Sequence, residues 1–349
     1  MSPRVPEPPG PPVLTAAPQA PPALRRRWRP TRRRLLAGAL AVLAAAGLAW
    51  WGFAGRSPVG HFTSAAGKDR FLAAYGAAMA AMPKAPERTL DVRTSYGIVR
   101  LYRFAGAHDD RPPLVLLPGR ASSSPMWADN LPSLLRLRSV YTVDLLGEPG
   151  MSVQDRPITS DRDHAAWLHE TLVRLPEPRV HLVGVSVGGW TAMNLAVHDP
   201  GKVATLTLVD PVCVFAGLSL AVVVRSLPAA VPWLPKWVRE DFTSWVANDA
   251  PVRDEPIGAM IEAGMQTYRI TLSAPSRLDG HRIAAVDVPT LVIMAGDSRM
   301  HDAAAAADTA RRTLRAGTVI TYPDASHAIN GEYPDRLARD IGAHLDRHG

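Results

Sequence analysis

Apolar residues recur along this chain in short uninterrupted runs, and the segments between the runs carry apolar residues at helical spacing. Runs of four to seven apolar residues are typical of strands buried on both faces of a parallel sheet. The alternation therefore predicts an α/β domain with a mostly parallel sheet covered by helices, opening on a hairpin around 95–97. The predicted strands are 90–93, 98–104, 114–117, 140–143, 180–185, 203–209, 291–295 and 319–322, and the predicted helices are 161–175, 187–198, 303–314 and 333–344.

One long interval breaks this alternation. About 79 residues between Pro211 and Pro289 contain no clear strand, and tryptophan and methionine residues are scattered among their leucines and valines. This composition predicts a helical cap insertion, at about 211–289, that lies over the edge of the sheet. Packing within the insertion accounts for most of these aromatic residues, and a share of them is expected to line a pocket.

The first part of the chain follows a different pattern. Ten of the 33 prolines lie within residues 1–30, and residues 1–34 are rich in arginine, which predicts a disordered tail. The 19 residues from Leu35 to Phe53 carry no charge. As a helix they would extend for about 28 Å, close to the ~30 Å of a bilayer core. Residues 35–55 are therefore predicted to form a transmembrane helix or signal-anchor, followed by a linker and helix at 56–87 and the α/β domain at 88–349.

The charges around this helix predict its orientation in the cell membrane. Seven arginines precede it closely, so the positive-inside bias places the N-terminus in the cytoplasm and the α/β domain outside. The segment Thr31-Arg32-Arg33-Arg34-Leu35-Leu36 also resembles a bacterial twin-arginine signal, so export after signal cleavage is the alternative. The length of the apolar stretch favours the retained anchor.

The distribution of charge and the cysteine content argue against several classes of function. The net charge of +7 comes entirely from residues 1–34, because the remainder carries 31 basic and 31 acidic residues. A neutral body gives no support for a nucleic-acid partner. The lone Cys213 excludes an intramolecular disulfide and a cysteine zinc site. The chain shows no glycine-rich phosphate loop and no histidine cluster with metal spacing, so neither a cofactor nor a metal is expected.

The strongest chemical motif is Gly184-Val185-Ser186-Val187-Gly188. It follows a predicted strand and opens a predicted helix, which is the context that a G-x-S-x-G nucleophile elbow requires. Such a turn lifts the Ser186 hydroxyl above the sheet, and the helix N-terminus stabilises an anion formed there. In a structural interpretation the same residues would form only a tight turn, but their setting favours a nucleophile.

A serine nucleophile needs a general base. Among the 11 histidines, His327 follows the last predicted strand and precedes the last helix, where its imidazole could reach a serine in the middle of the sheet. His181 lies within a strand and His198 ends a helix, so structural roles are expected for both. Ser186 and His327 are therefore the predicted nucleophile and base.

Over about residues 88–347 the chain resembles the α/β-hydrolase fold superfamily, and more narrowly its serine carboxylesterase-like branch. The order of strand, serine elbow, acid, insertion, strand and histidine carries the resemblance. Three segments are also similar to those enzymes, namely Phe71-Leu-Ala-Ala-Tyr75, Met126-Trp127-Ala128-Asp129-Asn130 and Asp144-Leu-Leu-Gly147-Glu-Pro-Gly150-Met-Ser152. The resemblance implies esterase activity.

Two positions depart from the family pattern. The usual His-Gly of the oxyanion loop is replaced by Pro118-Gly119-Arg120. The resemblance nevertheless implies that the backbone N–H groups of Arg120 and Val187 form the oxyanion hole, because backbone groups do not depend on the histidine side chain.

The triad acid is the second departure. Many relatives carry it three residues after the glycine that ends the next-to-last strand, and Arg299 stands at that place here. Asp210 ends the strand 203–209, where pancreatic-type lipases hold their acid, and Asp297 lies near the usual position. Asp210 is the preferred acid and Asp297 the alternative, since the role is one of geometry.

These features together predict a membrane-anchored serine hydrolase, and more specifically a carboxylesterase. It would cleave an uncharged, hydrophobic small-molecule ester through an acyl-enzyme. One alternative is other hydrolase or acyl-transfer chemistry on the same triad. Another is a catalytically inactive hydrolase fold that acts as a binding module.

Overall fold

The computed structural model describes residues 57–229, 235–250 and 255–348. The predicted tail at 1–34 and the predicted transmembrane helix at 35–55 lie outside the described residues. Within the described ranges, none of the helices combines the length and apolar character that crossing a membrane requires.

Eleven strands are present in the described ranges. They are β1 (His61–Phe62), β2 (Arg88–Thr94), β3 (Gly97–Phe104), β4 (Leu114–Leu117), β5 (Val140–Val143), β6 (Val153–Gln154), β7 (Val180–Val185), β8 (Val203–Val209), β9 (Tyr268–Arg269), β10 (Thr290–Ala295) and β11 (Gly317–Tyr322). Nine of them form one sheet in the order β11-β10-β8-β7-β4-β5-β3-β2, with β6 paired to β3. The strands from β11 to β5 run parallel, and β3 and β2 join antiparallel. The predicted mostly parallel sheet is therefore confirmed.

Helices cover both faces of this sheet. They are α1 (Ala65–Ala80), α2 (Leu131–Leu134), α3 (Asp161–Val173), α4 (Val187–His198), α5 (Leu220–Ala229), α6 (Lys236–Val246), α7 (Pro256–Thr267), α8 (Gly280–Ala284), α9 (Ala303–Thr313), α10 (Ile329–Glu332) and α11 (Pro334–His348). Side chains of α3, α4 and α9 pack on one face in a cluster that contains Trp167 and Trp190. Those of α1, α7 and α11 pack on the other face with Phe71 and Ile341.

The described parts of the cap insertion hold the predicted helices, namely α5, α6, α7 and α8. They also hold one strand that the sequence pattern does not predict. β9 pairs antiparallel with β1, with His61 opposite Arg269 and Phe62 opposite Tyr268. A two-residue strand is too short to show the alternation on which strand prediction depends.

A buried ion pair joins two helices of the insertion. Arg239 of α6 is almost fully buried, and its guanidinium donates to both carboxylate oxygens of Glu262 on α7 at 2.8 to 3.2 Å. Trp237, two residues earlier on the same helix, is 66% exposed. Packing within the insertion therefore does not account for that tryptophan.

Candidate active site

Ser186 occupies a strained turn between β7 and α4. Its backbone has φ 54° and ψ −117°, a conformation that few residues other than glycine adopt. A Cβ on Gly184 would lie 2.2 Å from the Gly188 carbonyl oxygen, and a Cβ on Gly188 would lie 2.1 Å from the Leu117 carbonyl oxygen. Only glycine therefore fits at either position, and the two glycines allow the turn that presents the Ser186 hydroxyl.

His327 lies in the loop between β11 and α10, and its ring contacts two of the predicted site residues. Its Nε2 atom is 2.8 Å from Ser186 Oγ, and its Nδ1 atom is 2.5 Å from Asp210 Oδ2. All three side chains are buried. The fold thus brings Ser186, His327 and Asp210 into one continuous line of polar contacts, although 141 residues separate the serine from the histidine.

Asp210 directly follows β8 and is fully buried. Its Oδ2 atom accepts a hydrogen bond from Ser298 Oγ at 2.7 Å, and its Oδ1 atom accepts one from the Ala295 N–H at 3.2 Å. Burial alone would raise the pKa of the Asp210 carboxyl, but polar contacts with His301 and His327 outweigh it and hold that pKa well below its usual value. Asp210 is therefore a carboxylate at neutral pH.

His301 is a second imidazole at this carboxylate, and sequence reasoning missed it. Its Nε2 atom lies 3.2 Å from Asp210 Oδ1, and its side chain is only 1% exposed. Within the described part of the chain neither ring nitrogen completes a hydrogen bond of good geometry, so this contact with Asp210 is the main polar contact of the ring. The carboxylate therefore lies between two histidines.

Asp297, the alternative acid, faces a different partner. Its carboxylate accepts a hydrogen bond from Asn248 Nδ2 at 2.7 Å, on the side of the insertion. The carboxylate in contact with His327 is that of Asp210. The geometry separates the two candidates and places Asp210 beside the imidazole.

The predicted oxyanion donors flank Ser186. Gly119 lies so close that a Cβ on it would be 3.7 Å from Ser186 Cβ. Its own N–H approaches Met126 Sδ at 3.4 Å, and the Ala121 N–H donates to Glu148 Oε2 at 3.0 Å. The N–H groups of Arg120 and Val187 have no acceptor among the described residues. Two backbone donors beside the serine are thus left for another acceptor.

Glu148 is a further residue that the sequence did not single out for a role. It is buried, and its Oε1 atom lies 3.2 Å from Arg120 Nη1. Burial raises the pKa of the Glu148 carboxyl, whereas the Arg120 charge and the Ala121 N–H act in the opposite direction. The contacts hold the oxyanion loop at both Arg120 and Ala121.

A small cleft next to these donors is mostly apolar. Arg120 and Val187 form one side of it, beside Glu148, and burial lowers the pKa of His164 in its wall to about 4. That imidazole is therefore neutral at physiological pH. The other side chains lining the cleft include Leu145, Leu146, Trp167, Trp190 and Leu272.

Two of the three segments that carry the family resemblance, 71–75 and 144–152, contact each other at one buried carboxylate, Asp144. It accepts hydrogen bonds from Tyr75 Oη at 2.9 Å, from the Ser124 N–H at 2.8 Å and from the Met151 N–H at 2.8 Å. Asp144 therefore ties helix α1 to the loops on either side of the site. Among the described residues, no group of histidine, cysteine, aspartate or glutamate could hold a metal ion.

Several known carboxylesterases are similar to this chain in sequence and in fold. The chain is 24% identical over 250 residues to a Bacillus subtilis protein named uncharacterized carboxylesterase nap, covering 70% of this chain and 81% of that one. It is 23% identical over 279 residues to carboxylesterase YbfK of the same organism, covering 78% and 92%. The crystal structure of naproxen esterase from Bacillus subtilis superposes with a TM-score of 0.72 at 21% identity, covering 79% of this chain and 97% of that one.

These likenesses extend over the sheet, the elbow and the insertion together. The family model for alpha/beta hydrolases matches residues 114–340, which is well over half of the chain and includes Ser186, Asp210 and His327. The chain belongs to the alpha/beta hydrolase family.

Proposed function

We propose that this protein is a serine hydrolase that cleaves carboxylic esters through an acyl-enzyme. The observation that carries the proposal is the line of polar contacts from Ser186 Oγ through the His327 ring to the Asp210 carboxylate. The relatives named carboxylesterases support an ester as the substrate.

In the first half of the reaction, Ser186 Oγ attacks the acyl carbonyl carbon while His327 Nε2 takes its proton. The carbonyl oxygen becomes an oxyanion that accepts hydrogen bonds from the Arg120 and Val187 N–H groups. The tetrahedral intermediate then breaks its bond to the alcohol oxygen, which leaves with the proton from His327. The acyl group remains bonded to Ser186.

In the second half, water replaces the alcohol. His327 takes a proton from the water as its oxygen attacks the acyl carbon, and the proton returns to Ser186 Oγ when the acid leaves. Asp210 stays ionised throughout, because its pKa lies far below neutral. Its negative charge fixes the imidazole orientation and stabilises the imidazolium of both halves.

The cleft beside the oxyanion donors favours an uncharged, hydrophobic ester. Leucine, tryptophan, valine and proline together supply more than half of its wall, and the Arg120 guanidinium in the wall is paired with Glu148. One similar solved structure bears the name naproxen esterase. An ester panel with graded acyl length would measure the preference here.

The proposal extends to a membrane anchor at residues 35–55, with the catalytic domain outside the cytoplasm. Its support is the uncharged stretch from Leu35 to Phe53 and the arginines that precede it. The alternative is export after signal cleavage. A reporter enzyme that is active only outside the cytoplasm, fused after Gly349, should be active, and an inactive fusion would reverse the topology.

A fluorophosphonate probe tests the catalytic proposal, because it forms a covalent bond only with an activated serine. The wild type and a Ser226→Ala control on α5 should label and hydrolyse esters, whereas Ser186→Ala should do neither. Labelling that survives in Ser186→Ala would place the nucleophile elsewhere. A folded wild type that does not label would favour an inactive binding module.

A further inference from the structure

Exposed apolar side chains concentrate on one part of the insertion. Eight large apolar side chains are exposed among the described residues, and six of them lie within 20 residues of each other in sequence. An apolar patch of this kind marks an interaction surface more often than chance exposure. The six are Leu218, Leu220, Val223, Val224, Leu227 and Trp237.

Helix α5 contributes most of this patch. Val222 alone among its large apolar side chains is buried, while Leu220, Val224 and Leu227 face solvent. A helix on the surface of a globular protein normally shows the opposite distribution, with its polar residues outward. The exposed face of α5 is therefore unpartnered within the described residues.

The charged residue of α5 is directed toward its neighbour α6. The Arg225 guanidinium lies 5.0 Å from the centre of the Trp245 ring and 3.7 Å from the Asp241 carboxylate. Both contacts stabilise the positive charge of Arg225 against α6. The apolar face of α5 is left as the dominant feature of this surface.

The first described residues of the chain are joined to the same insertion. Strand β1 pairs with β9, the Thr63 N–H donates to the Thr267 carbonyl at 2.8 Å, and Thr271 Oγ1 donates to the Pro58 carbonyl at 3.3 Å. Residues 58–63 therefore contact the insertion, although Gly60 also donates to Gln154 of β6.

The length of the connection limits how far the insertion can lie from the proposed membrane anchor. Eight residue steps separate Phe53 from His61. Fully extended, they span at most about 29 Å. If residues 35–55 cross a bilayer, as proposed above, the insertion is held within that distance of the lipid.

We propose that the exposed face of α5, with Leu218 and Trp237, docks on the surface of the lipid bilayer. This inference rests on the membrane anchor of the proposed function and deepens it. Apolar side chains of an interfacial helix enter the boundary between headgroups and acyl chains, and tryptophan is favoured at that depth.

The residue that precedes the docking helix is hydrogen-bonded to a loop of the candidate site. The Ser219 N–H, one residue before α5, donates to the Met300 carbonyl at 2.7 Å, and Ser219 Oγ donates to the Arg299 carbonyl at 2.8 Å. The helix is thus bonded to the loop that carries His301. The substrates implied are hydrophobic esters dissolved in the membrane.

The test uses the full chain in vesicles of phosphatidylcholine and phosphatidylglycerol, with a fluorescent dye attached to one introduced cysteine. Val224→Cys places the dye on the patch, and Val153→Cys is the matched control, because the two valines are 57% and 59% exposed. Native Cys213 is buried, and burial raises its pKa, so the unsubstituted chain serves as the labelling blank. Lipids with nitroxide-labelled acyl chains quench a dye that enters the bilayer.

Docking predicts several-fold stronger quenching at position 224 than at position 153. Equal quenching in a chain that resists alkaline extraction from the vesicles would overturn docking and leave the anchor in place. A chain that is extracted and shows no quenching would overturn both proposals. Self-quenching of the dye at position 224 without quenching by lipid would show a second copy on this face, and would overturn docking on lipid.

Discussion

Two residues of the candidate site hold backbone conformations that are costly for a side chain with a Cβ. Ser186 has φ 54° and Asp210 has φ 40°. Each such conformation costs about 1–3 kcal/mol, which the surrounding structure must offset. The strained backbone at both residues directs their side chains to the same imidazole, that of His327. Strain at two of three residues in one contact line is typical of a functional site.

The assignment of the acid is tested by comparing two matched amide variants. Asp210→Asn should lower kcat for an ester substrate by about 10⁴-fold, because an amide neither stabilises the imidazolium nor fixes the imidazole tautomer. Asp297→Asn should leave kcat close to that of the wild type, since its carboxylate contacts Asn248 instead. Kinetics on folded variants measures both. A loss confined to Asp297→Asn would transfer the acid role to that residue.

The role of His301 requires a separate experiment. We expect His301→Leu to lower kcat by about five- to tenfold with little change in KM, because Asp210 loses one polar contact worth about 1 kcal/mol. His301→Gln should recover most of the activity, since its amide can donate to Asp210 Oδ1. If KM rises instead, or if glutamine fails to rescue, His301 supports the fold and does not position the acid.

Some of the site could be predicted from local sequence and some could not. Ser186 is marked by glycines on either side, and His327 and Asp210 by the strands that they follow. No local sequence pattern identifies His301 or Glu148, because their places in the site depend on contacts between loops that are distant in sequence. Arg299 occupies the family's usual acid position, but its guanidinium binds Asp249 of the insertion.

At the scale of elements, the turn between β7 and α4 depends on its glycines. Gly188→Ala would place a Cβ 2.1 Å from the Leu117 carbonyl oxygen, so strand β4 or helix α4 would have to move. We expect a loss of several kcal/mol in the free energy of unfolding, or insoluble protein, together with loss of activity.

Helix α1 offers the matched control for this substitution. A Cβ on Gly76 would meet nothing within 4 Å, so Gly76→Ala should stabilise the protein by about 0.5–1 kcal/mol through the higher helix propensity of alanine. Urea unfolding of both variants measures the difference. Similar stabilities of the two variants would show that the elbow tolerates a side chain.

Elements with long apolar runs were the easier ones to predict. Strands β4, β5, β7 and β8 and helix α4 have the bounds that the pattern indicates, because strands buried on both faces must be apolar throughout. The structure of the insertion could not be predicted in the same way. Several apolar residues of α5 are exposed, so hydrophobicity does not indicate burial there.

At the scale of the whole molecule, the parallel sheet brings residues that are distant in sequence into contact. The carboxyl ends of β7, β8 and β11 lie at one edge, so their following residues meet even though more than a hundred positions separate them. Charge is distributed unevenly along the chain. The excess of arginine lies in residues 1–34, whereas the remaining residues carry equal numbers of basic and acidic side chains. The candidate active site and the proposed transmembrane anchor thus occupy separate parts of the chain.

The stability of the whole molecule should fall in mild acid, and buried His181 supplies a measurable share of that fall. Burial in β7 lowers the pKa of His181 to about 4, from a usual value of 6.5. Between these two values the unfolded chain binds a proton that the folded chain does not. From pH 7.5 to pH 5 this linkage therefore lowers the free energy of unfolding by about 2 kcal/mol.

A substitution separates the contribution of His181 to the pH dependence of stability from the contributions of the other titrating groups. His181→Asn keeps a polar partner for Thr205 Oγ1, which lies 3.0 Å from the His181 Nδ1 atom, but removes the titration. The variant should lose about 2 kcal/mol less than the wild type between pH 7.5 and pH 5, measured by urea unfolding at each pH. Exposed His108→Asn serves as the control. Equal pH dependence in the wild type and His181→Asn would mean that the buried imidazole already carries its proton in the fold.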